Sequence, residues 1–95
     1  MKFKEQLKFA NDNNIDITAL LIANECDCVF EFDYTDEEFE ELCDVAERAY
    51  LKAEEMTAYA VARCINDMIV DDGYSVQQVV DMETWDIITE ASYYL

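Results

Sequence analysis

Apolar residues recur every three or four positions along most of the chain, the spacing that places side chains on one face of an α-helix. The clearest case begins at Thr35, which is followed three residues later by Glu38. This pair predicts a capping box and a helix that runs to about Lys52. The predicted buried face of this helix consists of Phe39, Leu42, Cys43, Ala46 and Tyr50.

Three further segments show the same period. A short first helix over residues 2–11 is predicted to bury Phe3, Leu7 and Ala10, and a helix over residues 54–70 is apolar around most of its circumference. A second capping box over residues 75–78 opens a short helix, and the helical stripe continues to the end through Trp85, Ile88, Ala91 and Leu95. We therefore predict a mainly all-α fold, a small bundle of four to five short helices, in a single domain over residues 1–95.

Residues 15–34 leave two alternatives open. Asp16 can cap a helical turn that contains Ile17 and Leu20, but the β-branched residues here equally permit a strand. From Cys28 to Tyr34, apolar residues alternate with other residues, a period typical of an extended segment. One interpretation is thus a helix after Asp16, and the other is a hairpin that pairs residues 15–22 with residues 28–34.

The charge of the chain excludes several classes of partner. The 95 residues include 23 Asp and Glu, 6 Lys and Arg and no His, for a formal net charge of −17. Direct binding to nucleic acid or to an anionic membrane is not expected, because phosphates would repel this protein. No apolar run approaches the roughly 20 residues of a membrane span, and the first ten residues lack a signal-peptide core. A soluble, cytoplasmic protein is predicted.

The residues that carry ordinary catalytic chemistry are scarce. Without His there is no Ser-His or Cys-His nucleophile pair, and Gly73 alone cannot form a glycine-rich nucleotide loop. Cys43 and Cys64 lie on predicted apolar stripes, and the C-x-C pair at Cys26 lacks the spacing of structural zinc. A calcium loop that starts at Asp12 lacks the required Gly and Glu. We expect no enzyme, no cofactor and no metal.

Acidic residues are concentrated in one part of the chain. Residues 12–47 contain 13 Asp and Glu and no basic residue. Helix positions three or four apart are about 5–6 Å from each other, a charge spacing comparable with that of DNA, which carries one phosphate charge per roughly 3.4 Å of helix axis on each strand. The net charge also exceeds the magnitude of about 2 to 8 that keeps a small domain soluble. The candidate partner-binding residues are Glu31, Asp33, Asp36, Glu37, Glu40, Glu41, Asp44 and Glu47.

In size and in its acidic runs, Glu25–Glu47 and Asp67–Glu90, the sequence resembles the small acidic DNA-mimic inhibitors of phages and mobile elements. This class includes anti-CRISPR and anti-restriction proteins. The resemblance implies a non-catalytic inhibitor whose carboxylates replace phosphates on a basic nucleic-acid-binding protein of the host. The implied partner is a nuclease, either a CRISPR effector or a restriction enzyme.

An alternative hypothesis is a small helical adaptor or homodimeric assembly protein whose surface is merely acidic. Such a protein would associate through the apolar face of Trp85–Leu95 or through the segment Cys28–Tyr34. The two hypotheses differ in salt dependence, because salt screens charge pairs but hardly weakens apolar contacts.

Overall fold

A computed structural model of the protein describes the backbone of residues 3–95 and the side chains of residues 5, 6 and 8–95. This part of the chain folds into six α-helices without a strand, which confirms the all-α prediction. The helices are α1 (Phe3–Asp12), α2 (Ile17–Val29), α3 (Asp36–Lys52), α4 (Ala58–Val70), α5 (Val76–Val80) and α6 (Thr84–Ala91), followed by a 3₁₀ turn (Ser92–Tyr94).

The helix after Asp16 is the alternative that forms, and the hairpin between residues 15–22 and 28–34 is wrong. The Asp16 carboxylate accepts a hydrogen bond of 2.9 Å from the backbone N–H of Thr18, so it caps α2. α2 buries Ile22, Cys26 and Val29, which are four and three residues apart. Only a helix places residues at this spacing on one face, so burial of this face outweighs the β-branched composition.

Residues 30–35 form an extended loop between α2 and α3. The predicted alternation is present from residue 30 onward, because Glu31 and Asp33 are exposed while Phe30, Phe32 and Tyr34 are half-buried. It fails at Cys28 and Val29, which belong to α2, where Cys28 is exposed and Val29 is buried. No strand pairs with this loop within residues 3–95; instead, the backbone N–H of Glu31 donates to Oδ1 of Asn66, 2.8 Å away. Ring centroids 4.9 to 6.2 Å apart define an aromatic cluster of Phe30, Phe32, Tyr34 and Phe39.

α3 begins and ends where the sequence predicts. Thr35 and Glu38 form the predicted capping box, and the helix ends at Lys52. Of the predicted buried face, Leu42 and Ala46 are fully buried, and half-buried positions are taken by Phe39, Cys43 and Tyr50. Val45 and Ala49 complete the buried stripe, so this stripe is rotated slightly from the predicted one.

α4 occupies the centre of the bundle, as its apolar composition predicts. It packs against α2, α3, α5 and α6. The helix begins at Ala58 rather than at residue 54, because the Thr57 hydroxyl caps the backbone N–H of Ala60 at 3.0 Å. The residues that it buries are Ala58, Ala60, Val61, Ala62, Cys64, Ile65, Asn66 and Met68.

The end of the chain departs from the predicted stripe. The segment after Ser75 folds as two helices, which raises the number of helices in the described part to six. Of the predicted stripe, Ile88 and Ala91 are buried, and α6 also buries Ile87. Trp85 in the first turn of α6 and Leu95 after the 3₁₀ turn are exposed. Of the face predicted for the first helix, Ala10 is buried, while the side chains of Phe3 and Leu7 lie outside the described residues.

The capping box of α3 gives a first testable prediction. Thr35 Oγ1 accepts from the backbone N–H of Glu38 at 3.1 Å, and Glu38 Oε1 accepts from the Thr35 N–H at 2.9 Å. Thr35→Ala is expected to lower the free energy of unfolding by about 1 kcal/mol, measured by urea denaturation. The control is Thr89→Ala, which removes an exposed hydroxyl that caps no helix and should change stability by less than about 0.5 kcal/mol. Equal losses from both variants would contradict the capping role.

Candidate protein-binding surface

α3 presents five exposed carboxylates on the side opposite its buried stripe. Neighbouring members are one, three or four positions apart, so they lie within about 5–6 Å of each other along the helix. The helix buries Leu42 and Val45 against the rest of the molecule, which turns the acidic side outward. We call this set the α3 acidic surface: Asp36, Glu37, Glu40, Glu41 and Asp44.

These carboxylates have no cationic partner among the described residues. The two ion pairs in the described part both involve Arg63, which lies 3.8 Å from Glu31 and 3.2 Å from Asp67. Arg48 lies one turn beyond Asp44, but its Nε donates to the Asp44 backbone carbonyl at 3.4 Å. The α3 acidic surface is therefore free to accept hydrogen bonds from the cationic side chains of another molecule.

The other three predicted binding residues have different surroundings. Asp33 is exposed on the extended loop, in front of the first turn of α3. Glu31 is exposed but pairs with Arg63 of α4. Glu47 is half-buried and lies beside Asp16 at the start of α2. The structure thus brings five of the eight predicted residues together on α3.

Two further acidic residues adjoin this region and are absent from the predicted set: Asp16, the N-cap of α2, and Asp27 within α2. Asp27 lines a cavity together with Phe39 of α3, and its negative charge acts on the Cys43 thiol, so Asp27 lies beside the first half of α3. Asp16 is similarly close to Glu47. Asp16 and Asp27 are eleven residues apart, or about three helical turns, and so share one side of α2. This spacing could have predicted that the two residues share one side of the helix, but only once residues 17–29 are known to be helical.

The surroundings of Glu47 raise the pKa of its carboxyl above the ordinary 4.5, mainly through burial and then through the negative charge of Asp16. A raised pKa in the folded state means that ionised Glu47 destabilises the protein at neutral pH. Glu47→Gln is therefore expected to raise the urea midpoint at pH 7. The gain should disappear as the pH falls below about 4.5, where the unfolded carboxyl is also protonated. A gain that persists at low pH would attribute the effect to packing instead of charge.

Three of the four cysteines are buried or half-buried. Cys64 is buried, as predicted, and burial is the main cause that raises the pKa of its thiol to about 12. Cys26 is also buried, and the interaction between its thiol and that of half-buried Cys43 raises the pKa of Cys26 and lowers that of Cys43. Cys28 is exposed. Within the described residues, no three Cys, Asp or Glu side chains are arranged to hold a metal ion.

The α3 acidic surface can recognise a partner through charge and hydrogen bonds, because ionised carboxylates accept hydrogen bonds from cationic and neutral donors. Two cavities formed by described residues have volumes of about 180 and 220 Å³, below the roughly 300–1,000 Å³ of ordinary small-molecule pockets.

No helix in the described part of the chain is long and apolar enough to cross a bilayer. Comparison of the chain with protein-family models, curated proteins and solved structures finds no match.

Proposed function

We propose that this protein is a non-catalytic inhibitor that binds the basic nucleic-acid-binding surface of another protein, a nuclease such as a CRISPR effector or a restriction enzyme. Its carboxylates would occupy positions that phosphates occupy in the nucleic acid complex. The observation that carries the proposal is the α3 acidic surface, whose five exposed carboxylates have no cationic partner among the described residues. Arg and Lys side chains placed to bind phosphates form similar charge-assisted hydrogen bonds with carboxylates.

Repulsion among the carboxylates of α3 in the free protein supports the same proposal. Like charges at positions three or four apart on a helix destabilise it by a few tenths of a kcal/mol per pair. Glu37 and Glu41 form one such pair, and Glu40 and Asp44 form another. A basic partner would remove this repulsion on binding, whereas solubility alone requires a net charge of only about 2 to 8 in magnitude.

A second candidate function, an adaptor or homodimer, is favoured by exposed apolar side chains at the end of the chain. Trp85 is 55% exposed, with the ammonium of Lys52 at 4.9 Å from its ring. Tyr93 and Leu95 are also exposed. Tryptophan and tyrosine are common anchors of protein interfaces. The aromatic residues of Cys28–Tyr34 pack on one another, so the Trp85–Leu95 face is the better candidate for such a contact.

A displacement assay separates the two candidates. Labelled duplex DNA is bound to each purified nuclease of a panel of CRISPR effectors and restriction enzymes, and fluorescence anisotropy reports its release by this protein. Inhibition is expected for at least one nuclease, with an inhibition constant that rises steeply with salt. Displacement from none, or displacement that salt does not weaken, would contradict mimicry of nucleic acid. A salt-insensitive dimer in size-exclusion chromatography that Trp85→Ala dissociates would instead support the second candidate.

A further inference from the structure

A second feature with binding chemistry is a cavity of about 180 Å³ between the end of α4, the loop that follows it and α6. Gly73 adopts a φ of +79° in this loop, and the backbone N–H of Tyr74 donates to the carbonyl of Met68 at 3.0 Å. This hydrogen bond joins the loop to the last turns of α4. The cavity wall consists of Met68, Asp72, Tyr74, Met82 and Glu90.

Two carboxylates reach this cavity from different elements. Asp72 lies on the loop after α4, and Glu90 lies on α6. Both lie close enough to Cys64 for their negative charges to act on its thiol, and both line this one cavity. Neither carboxylate forms an ion pair or a hydrogen bond with the described residues, and the cavity wall contains no Lys or Arg. The site therefore carries two uncompensated negative charges.

The remaining wall is suited to the stem of a long side chain. Met68 is buried and Met82 is half-buried, and their flexible thioethers adapt to alkyl groups. Tyr74 adds an aromatic ring, which attracts a cation over its face. The volume lies below the roughly 300–1,000 Å³ of ordinary small-molecule pockets, which suits a single amino-acid side chain better than a metabolite.

We propose that this cavity binds an arginine side chain of a partner protein, with the guanidinium between Asp72 and Glu90. The guanidinium presents five N–H donors in a planar fork, so it can bind two carboxylates that approach from different elements. The ammonium of lysine is a compact point charge without this fork geometry. The site shares no residue with the α3 acidic surface, and it does not require that surface to act as an inhibitor.

The test uses a small probe, so that it is independent of any partner. N-acetyl-arginine methylamide is titrated into the protein labelled with ¹³C in its methionine methyl groups. Saturable shifts are expected for Met68 and Met82, with a dissociation constant on the order of 1 mM. Met56, which is buried elsewhere in the core, should not shift. N-acetyl-citrulline methylamide has nearly the same shape without the charge and should give no saturable shift.

Paired variants then test the two carboxylates. The double variant Asp72→Asn with Glu90→Gln should weaken arginine binding at least tenfold. The matched control, Asp71→Asn with Glu83→Gln, makes the same change in net charge outside the cavity and should bind like the unmodified protein. An unchanged Met56 signal verifies that each variant is folded. Equal shifts with citrulline, equal binding by both double variants, or equal binding of N-acetyl-lysine methylamide would each overturn the proposal.

Discussion

Neutralising four carboxylates of the α3 acidic surface together is expected to weaken inhibition of a sensitive nuclease by about 30-fold to nearly 1000-fold. The range follows because each exposed ion pair contributes about 0.5–1 kcal/mol, so four contribute about 2–4 kcal/mol, and each 1.4 kcal/mol is about tenfold in affinity. The measurement is the inhibition constant in the DNA displacement assay at fixed low salt. The substitutions are Glu37→Gln, Glu40→Gln, Glu41→Gln and Asp44→Asn.

A matched variant separates the location of these charges from their number. It neutralises four other exposed acidic residues near the end of the chain, so the net charge changes by the same amount. Inhibition by this control should weaken by less than about threefold, because distant exposed charges are screened by salt. Equal weakening by both variants would mean that overall charge drives binding, which contradicts a defined surface on α3. The control substitutions are Asp71→Asn, Asp81→Asn, Glu83→Gln and Asp86→Asn.

Loss of folding does not explain the expected loss of inhibition. The four α3 substitutions remove repulsion between Glu37 and Glu41 and between Glu40 and Asp44, worth a few tenths of a kcal/mol per pair. They leave the capping box of Thr35 and Glu38 intact. The variant should therefore be at least as stable as the unmodified protein in urea, with an unchanged helical circular dichroism signal. A variant that is both less stable and less inhibitory would leave no support for a role of the charges in recognition.

Local sequence signals account for the parts of the fold that were predicted correctly. The bounds of α3 depend on contacts within a few residues, namely the capping box at Thr35 and the apolar period up to Lys52. The ambiguity at residues 15–34 arises because local preferences there are balanced. Packing of Ile22 and Cys26 in the core selects the helix, and this burial depends on residues distant in sequence. The predicted start of α4 is four residues early, because the apolar period extends before Thr57 while the hydroxyl of Thr57 caps the helix.

The candidate surface was predictable to the extent that it depends on one helix. Once α3 is assigned, its helical phase alone places Glu37, Glu40 and Asp44 on the outer side. The partners of Glu31 and Glu47, by contrast, are Arg63 and Asp16, which lie more than 30 residues away in sequence. Such contacts follow from tertiary packing and leave no local signal. The cavity beside α4 could not be predicted from the sequence for the same reason, because its five lining residues come from α4, the loop after it, the connection before α6 and α6 itself.

Asn66→Ala is expected to lower the free energy of unfolding by about 1–3 kcal/mol, the usual cost of leaving a buried polar group without its partner. Asn66 is only 2% exposed, and its Oδ1 accepts the hydrogen bond of 2.8 Å from the backbone N–H of Glu31. Its Nδ2 donates to Asp67 Oδ1 at 3.2 Å. Urea denaturation measures the loss. Asn13→Ala is a suitable control, because its exposed side chain bonds only the end of α1 and should contribute less than about 0.5 kcal/mol.

A second measurement identifies which contact is responsible. The Glu31 N–H is the donor through which α4 holds the extended loop, so its hydrogen exchange in the native state should accelerate strongly in Asn66→Ala. Tyr94→Phe provides the comparison, because it removes the hydroxyl that donates to Asp67 at 2.7 Å but leaves the bond between Asn66 and Glu31 intact. Exchange at Glu31 should therefore be unchanged in Tyr94→Phe. If Glu31 stays protected in Asn66→Ala, the aromatic cluster and the ion pair between Glu31 and Arg63 hold the loop, and Asn66 stabilises the core without positioning the acidic residues that precede α3.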